Sequence, residues 1–185
     1  FLFSNSQSVS GTLPWLVENT TEAPANVLAD RRFDGTSGDE MQWRFPLSNG
    51  YYEVQLFFNE TDSSQVGGSR VFDVSLEGAL ILDNLDVLTV HGYNVPAQYT
   101  FLAHVTDGTL NLDFDHVTSS SPMIAGIAIH TFGGGIPAGT PIYRIDAGGN
   151  AQSAPDLNWA IDKPGTPSPQ LASAGQLTTG PNTWN

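Results

Sequence analysis

The chain has 185 residues, of which 19 are acidic and 6 are basic, so its formal net charge is −13 at pH 7. This balance speaks against nucleic acids and anionic membrane surfaces as partners, because both are bound through clustered lysine and arginine. Cysteine is absent, which excludes a disulfide framework and a thiolate metal site. No apolar run approaches the roughly 20 residues that a helix needs to cross a bilayer, so we expect no membrane insertion.

Apolar residues alternate with polar ones through the middle of the chain. Successive side chains on a β-strand face opposite sides, so each alternating run predicts a strand with one buried face and one solvated face. In chain order the predicted strands are MQWRFPL at 41–47, YYEVQLFF at 51–58, FDVSL at 72–76, YTFLAHV at 99–105, LNLDFD at 110–115 and AGIAI at 125–129.

Turn residues separate several of these runs. Ser48-Asn49-Gly50 and Asp107-Gly108 each predict a tight hairpin, because Asn-Gly and Asp-Gly readily adopt the positive φ angles of such turns. Between residues 40 and 131 no helical period stands out. Many short strands with regular turn signals predict an all-β fold, an antiparallel β-sandwich of the jelly-roll type.

A change of composition divides the chain. Residues 1–132 are expected to form the main part of the sandwich, and residues 133–141, within FGGGIPAGTP at 132–141, have the composition of a Gly/Pro linker. Residues 142–185 contain too little apolar surface to fold alone. We expect them to fold back onto the first part; the alternative is that they begin a second domain.

Six stretches, in order and with the expected spacing, resemble the malectin family of carbohydrate-binding domains. They are DRRFD at 30–34, EMQWRFPLSNGYYEVQLFF at 40–58, GSRVFDVSLEG at 68–78, LDNLDV at 82–87, VTDGTLNLDF at 105–114 and PMIAGIAI at 122–129. The resemblance implies a galactose-binding-like sandwich that binds oligosaccharide or polysaccharide without catalysis. It also implies a place in a larger secreted or cell-surface protein, with neighbouring domains of the same polypeptide as further partners.

One family signature stands out of order. YRIDAGG at 143–149 resembles the strand that opens the family's domain, yet here it follows the rest. Either the chain holds most of one tandem repeat and the start of the next, or the segment folds back in the manner of a circular permutation. Termini of sandwich domains often lie close together, and we favour fold-back.

A sugar site needs exposed aromatic rings beside polar groups on loops at one edge of the sandwich. A pyranose stacks its C–H face on such a ring and shares hydroxyl hydrogen bonds with carboxylates and amides. Four loop aromatics have polar neighbours, namely Phe33 with Asp34, Tyr93 with Asn94, Trp159 with Asp156 and Asn158, and Trp184 with Asn182. Among them Trp159 is the first choice, because the resemblance places the family's first-loop aromatic there.

The resemblance also sets limits on the ligand. An adjacent Tyr-Phe pair stacks on sugar in the animal lectin that names the family, and the matching positions here hold Asp62 and Ser63. A carboxylate before the proline of the last strand is replaced by Ser120 or Ser121. We therefore expect a rebuilt site, with Asp62 as a hydroxyl acceptor, and we do not expect that lectin's glucose-disaccharide specificity.

The sequence gives weaker support for a catalytic site or a metal site. Asp113 and Asp115 share a strand face and could form a glycosidase pair, but solvated strand residues are the simpler interpretation. No cofactor is expected; the loop from Asp34 to Glu40 offers three carboxylates, so a structural calcium is a secondary expectation. The four histidines are scattered without ligand spacing. A structural or adhesive repeat without a sugar site is the alternative function.

Overall fold

The computed structural model describes residues 16–18, 23–35, 39–132, 140–148, 159–162 and 167–173. In chain order its elements are β1 Leu16–Glu18, α1 Ala25–Ala29, β2 Arg32–Phe33, β3 Met41–Pro46, β4 Gly50–Phe58, β5 Phe72–Leu76, β6 Ala79–Leu85, α2 Val87–His91, β7 Ala97–Val105, β8 Thr109–His116, β9 Met123–Ile124, β10 Gly126–Thr131, β11 Pro141–Ala147, β12 Ala160–Asp162 and β13 Leu171–Ser173. All six predicted strands are present.

Two sheets form the body. The six-stranded sheet has the order β1-β7-β4-β10-β11-β12 and the five-stranded sheet the order β13-β3-β8-β5-β6, while β2 and β9 form a separate pair. Among the strands that the structure describes, every pairing is antiparallel except that of β11 with β12. The alternating apolar residues of both sheets face each other and form one buried core. The prediction of an all-β antiparallel sandwich is confirmed.

The two predicted hairpins are wrong. β3 and β4 lie in different sheets, as do β7 and β8, so the turns at Asn49-Gly50 and Asp107-Gly108 carry the chain from one sheet to the other. These two turns contact each other, since the Asn49 amide donates to the carbonyl of Thr106 at 2.7 Å. A tight turn reverses the chain in both architectures, so the turn residues alone could not tell a hairpin from a crossing between sheets.

Between residues 40 and 131 the structure contains a short helix that the sequence pattern did not predict. Helix α2 begins after Asp86, whose carboxylate accepts the backbone N–H of Thr89 at 3.0 Å and the hydroxyl of Thr89 at 2.6 Å. An aspartate at this position satisfies an amide that the first turn leaves unpaired. Five residues are too few to show a helical period, so only the cap could have marked this helix.

The described part of the C-terminal segment joins both sheets. β11 pairs with β10, β12 pairs with β11, and β13 pairs with β3. Arg32 donates through Nε to Asp162, and both side chains are buried. Asp162 also accepts the backbone N–H of Ser168 at 2.7 Å. This ion pair ties β12 to β2, on the other side of the Gly/Pro linker in sequence.

A glycine allows the closest approach of this segment to the body. Gly148 follows β11 with a φ of +95°. A Cβ atom there would overlap the carbonyl oxygen of Arg31. The backbone of β11 can therefore reach the segment before β2 only through a residue without a side chain.

Gly148→Ala tests this close approach. We expect it to lower the free energy of unfolding more than Gly78→Ala by at least about 2 kcal/mol. Gly78 is the matched control because its φ is +73° and nothing lies near its would-be Cβ, so it shares only the backbone strain. Urea denaturation of both variants measures the difference, and equal losses would contradict the contact with Arg31.

Asp146 on β11 gives the fold a pH dependence. It is fully buried, neither of its carboxylate oxygens has a hydrogen-bond partner, and burial raises its pKa to about 7, with the charges of Asp30 and Asp162 adding to the rise. An unfolded aspartate titrates near 3.9, so as the pH rises from about 4 to about 7 the unfolded chain loses this proton first. The free energy of unfolding therefore falls through that window.

We expect Asp146→Asn to remove this pH-dependent fall in the free energy of unfolding. At pH 4 the variant should match the wild type, and above pH 7 it should be more stable by up to about 4 kcal/mol. Urea denaturation at both pH values measures the difference. Asp107→Asn, at an exposed position, serves as the control, and its free energy of unfolding should change with pH as that of the wild type does. A constant difference between D146N and wild type at both pH values would contradict the titration.

Candidate functional site

Loops from four parts of the chain meet at one end of the sandwich, where β4 ends and β5 and β7 begin. Asn59 connects two of these loops and α1, because its amide donates to the carbonyl of Leu28 at 3.0 Å and to Oδ1 of Asn94 at 3.3 Å. We call this group the loop cluster, and its members are Arg31, Asn59, Glu60, Asp62, Arg70, Tyr93 and Asn94.

A buried ion pair lies at the centre of the loop cluster. Glu60 is fully buried, and its Oε2 accepts from Nε of Arg70 at 2.8 Å while its Oε1 accepts from the backbone N–H of Asp62 at 2.9 Å. Arg70 also donates to the carbonyl of Ser121 at 2.5 Å, and the carbonyl of Glu60 accepts the N–H of Asn94 at 2.7 Å. The side chains of this pair thus hold the loops after β4 and before β9, and the backbone carbonyl of Glu60 holds the loop before β7.

Asp62 presents a permanent negative charge at the rim of the cluster. Its carboxylate accepts from the hydroxyl of Ser64 at 2.6 Å, from the backbone N–H of Ser64 at 2.9 Å and from the amide of Gln65 at 3.1 Å. These hydrogen bonds, that of the Ser64 hydroxyl above all, lower the pKa of Asp62 to about 2. The carboxylate is therefore an acceptor at any physiological pH.

Tyr93 and Asn94 stand beside it on the loop before β7. The Tyr93 side chain is 46% exposed. Asn94 has a φ of +56°, a backbone region that asparagine tolerates better than most residues, and its own N–H is held by Glu60. The structure therefore brings three predicted site residues together at this end, namely Asp62, Tyr93 and Asn94.

Phe33 and Asp34 do not offer the surface that was expected of them. The guanidinium carbons of Arg31 and Arg70 lie 4.8 and 4.7 Å from the centre of the Phe33 ring, so cations already cover this aromatic group. Asp34 is fully buried and accepts the backbone N–H groups of Gly35 at 2.7 Å and Met41 at 2.8 Å. Its carboxylate orders its own loop and cannot reach a ligand at the surface.

The expectation that Trp159 is an exposed stacking platform is wrong for this conformation. Trp159 is 5% exposed and packs against Phe57, with ring centroids 5.6 Å apart at 73°. Together with Val27 and Leu28 of α1 it forms a second apolar cluster outside the six-stranded sheet. Its neighbours in the apolar cluster exclude a pyranose from the ring face. Asn158 and Trp184 lie outside the described residues, as do Asp156 and Asn182.

The acidic loop before β3 gains a partner that the sequence did not suggest. Asp34, Glu40 and His116 each place a ligand atom within 4.8 Å of one another. Glu40 accepts from Nδ1 of His116 at 2.7 Å, and the Asp34 carboxylate bonds backbone amides, so protein donors already occupy these oxygens. This favours an ordinary acidic turn, and the structural calcium stays a prediction.

The aspartates of β8 are arranged as a solvated strand face. Asp113 is bonded to Nη1 of Arg44 at 2.6 Å, on the outer side of the five-stranded sheet. The pKa of Asp115 is raised, first by partial burial and then by the charges of Glu40, Asp113 and Asp73. The bond to Arg44 occupies one member of the supposed glycosidase pair.

Comparison with known proteins now identifies the family. The family model for the malectin domain matches residues 29–133, from the end of α1 to just past β10. This chain belongs to the malectin-domain family. Malectin domains bind carbohydrate and occur in extracellular proteins. Among the described residues of this malectin domain, no helix is long and apolar enough to cross a membrane.

Solved structures agree on the fold. A crystal structure of a Bacteroides uniformis beta-glucuronidase matches with a TM-score of 0.52 and 16% identity, over 68% of this chain and 15% of that one. A D341A D367A calcium binding mutant of Bacteroides uniformis beta-glucuronidase 2 gives a TM-score of 0.51, with 15% identity, 68% and 15% coverage. The malectin domain thus spans about 15% of the length of these enzymes. The search of curated proteins found no match.

Sequence reasoning missed the charged half of the loop cluster. The sequence pattern did not indicate Arg31, Glu60 or Arg70 as site residues. Only six basic residues occur in the chain, so each of them was worth considering as a site residue. Their convergence depends on how the sandwich brings loops together over 39 positions of sequence, from Arg31 to Arg70, which a local pattern does not contain.

Glu60→Gln should destabilise this malectin domain strongly. Removing the charge from a buried pair leaves Arg70 uncompensated, which costs about 3 kcal/mol or more in the free energy of unfolding. Asp113→Asn makes the same chemical change in the half-exposed pair with Arg44 and should cost less than about 1 kcal/mol. Guanidinium denaturation of both variants measures this, and similar losses would contradict the central role of Glu60.

Proposed function

We propose that this malectin domain is a non-catalytic carbohydrate-binding module of a larger secreted or cell-surface protein, and that the loop cluster is its sugar site. The observation that carries the proposal is the exposed ring of Tyr93 beside the acceptors Asp62 and Asn94 at one end of the sandwich. An aromatic face next to fixed polar groups is what a pyranose requires, since it presents both C–H groups and hydroxyl pairs.

The rigidity of the cluster supports binding. Glu60 and Arg70 hold the loops through buried hydrogen bonds, so little ordering is left for a ligand to impose. Oδ1 of Asn59 and the hydroxyl of Thr61 are buried without a hydrogen-bond partner. Unpaired polar atoms beside a surface cluster favour a ligand or ordered water as their missing partner.

The ligand of this site differs from that of the animal lectin. Asp62 and Ser63 replace the stacking Tyr-Phe pair, so stacking would come from Tyr93 on the neighbouring loop. Asp62 would accept hydroxyl hydrogen bonds as an ionised carboxylate. No catalytic step is proposed, because the carboxylates of Glu60 and Asp62 are already engaged by protein donors.

We also propose that residues 142–185 complete the same domain and do not begin another one. The pairing of β11, β12 and β13 with the body supports this, as does the buried bond between Arg32 and Asp162. Tandem repeats would have supplied the raw material for such a permuted order, with YRIDAGG moved from the start to the end.

A structural or adhesive repeat is the second candidate. It is favoured by the burial of Trp159 and by the cations on Phe33, which leave Tyr93 as the exposed aromatic of the loop cluster. Such a repeat would space neighbouring domains of the same polypeptide or contact another protein. The two functions differ in one measurable property, which is affinity for a free sugar.

The Tyr93→Ala variant separates the carbohydrate-binding function from the structural or adhesive one. A glycan array followed by calorimetry should find at least one oligosaccharide with a dissociation constant in the millimolar range or tighter. Y93A should weaken that binding about tenfold or more, because the stacking face is lost. Tyr51→Ala is the matched control, since Tyr51 is 50% exposed but lies on β4 at the opposite end of the strand from the cluster.

The outcomes are distinct. Loss of binding in Y93A with unchanged binding in Y51A supports the proposed site. Equal losses, or a larger loss in Y51A, would move the site to the sheet face. Absence of binding to every glycan in the wild-type chain would favour the structural repeat.

A further inference from the structure

The guanidinium group of Arg31 has no carboxylate partner among the described residues. Its Nε and Nη1 are buried and lack a hydrogen-bond partner. Three other arginines each bond a carboxylate, as Arg32 does with Asp162, Arg44 with Asp113 and Arg70 with Glu60. Of the two arginines in the loop cluster, Arg31 is therefore the one without a bonded carboxylate.

The acids around Arg31 do not satisfy it. Both oxygens of Glu60 are engaged by Arg70 and the Asp62 backbone, and both oxygens of Asp62 are engaged by Ser64 and Gln65. Their charges reach Arg31 through space: burial lowers the pKa of Arg31 most, Glu60 and Asp62 oppose this, and Arg70 adds to it. A desolvated cation without an acceptor is unfavourable, and an acceptor brought by a ligand would relieve it.

The surroundings of Arg31 suggest what that ligand is. Tyr93 lies within electrostatic reach of Arg31, and the guanidinium carbon of Arg31 lies 4.8 Å from the Phe33 ring, a contact that restrains the side chain. A planar guanidinium matches the two oxygens of a carboxylate in geometry and charge. An aromatic ring within electrostatic reach of a restrained arginine that lacks a carboxylate partner therefore suits a sugar that carries a carboxylate.

We propose that the loop cluster recognises an acidic glycan, with the carboxylate of a uronic acid residue accepting hydrogen bonds from Arg31 while the sugar ring stacks on Tyr93. This rests on the proposed carbohydrate-binding function and adds the class of sugar. The net charge of −13 does not forbid it, because charges more than about 8 Å away are largely screened at physiological ionic strength. Within the cluster, Arg31 and Arg70 balance Glu60 and Asp62.

Sugar pairs that differ only at C6 test the proposal. The probes are disaccharides ending in glucuronic or galacturonic acid, their neutral glucose and galactose counterparts, and the 6-sulfated counterparts. We expect the wild-type chain to bind one uronic acid disaccharide about tenfold more tightly than its neutral counterpart, as a charge-assisted hydrogen bond would give. Calorimetry or NMR titration measures both constants.

Arg31→Gln should abolish this preference, so that the ratio of the uronic acid affinity to the neutral sugar affinity falls to about one. Arg31→Lys keeps the charge but loses the planar fork, so it should retain part of the preference, and it provides a second variant if R31Q folds poorly. Arg144→Gln, on β11 outside the loop cluster, is the control and should change nothing.

The results distinguish a failure of the acidic-glycan proposal from a failure of the proposed carbohydrate-binding function. Equal or weaker binding of the uronic acid relative to its neutral counterpart would overturn the acidic-glycan proposal and leave the proposed function standing. Preference for the sulfated counterpart over the uronic acid would overturn the assignment of a carboxylate. Absence of binding to both the acidic and the neutral sugars, with none found on the array, would overturn both proposals. An unchanged uronic acid preference in both R31Q and R31K would overturn the role of Arg31.

Discussion

The ion pair between Glu60 and Arg70 is the constraint on which the loop cluster depends. A buried carboxylate and a buried guanidinium are tolerable only together. Glu60 also accepts the backbone N–H of Asp62 in its own loop, and Arg70 donates to the carbonyl of Ser121 in the chain before β9. This pair helps to position Asp62 and the chain before β9, while the backbone carbonyl of Glu60 holds the turn that presents Tyr93. The loop cluster is therefore a rigid arrangement imposed from inside the fold, and it resembles the preformed sites that small ligands use.

The C-terminal segment supports the same end of the sandwich from the other side. Gly148 lies against the carbonyl of Arg31, and Asp162 holds the next residue, Arg32, in the interior. The backbone that carries the unpaired guanidinium of Arg31 is thus braced by strands that come last in the sequence. Asp146 adds a cost to this contact that grows as the pH rises toward neutrality, because its buried carboxyl has no hydrogen-bond partner.

The sequence was sufficient for the strands but insufficient for much of the site. Period-two alternation predicted all six strands, because each buries one face in a shared core. It could not predict that the turns at Asn49-Gly50 and Asp107-Gly108 cross between sheets, since local turn chemistry is the same in both cases. Trp159 was misread because a loop tryptophan covered by α1 looks, in sequence, like an exposed one. Arg31 and Arg70 were overlooked because their significance arises from partners that are distant along the chain.

Chemical-shift mapping of the isotope-labelled chain tests the central claim most directly. During titration with a glycan that the chain binds, the account predicts that the largest amide shifts fall on the loops of Asp62, Asn94 and Arg31 at one end of the sandwich. Shifts confined to the outer face of the six-stranded sheet, around the stacked rings of Tyr51 and His104, would place the ligand elsewhere and contradict it.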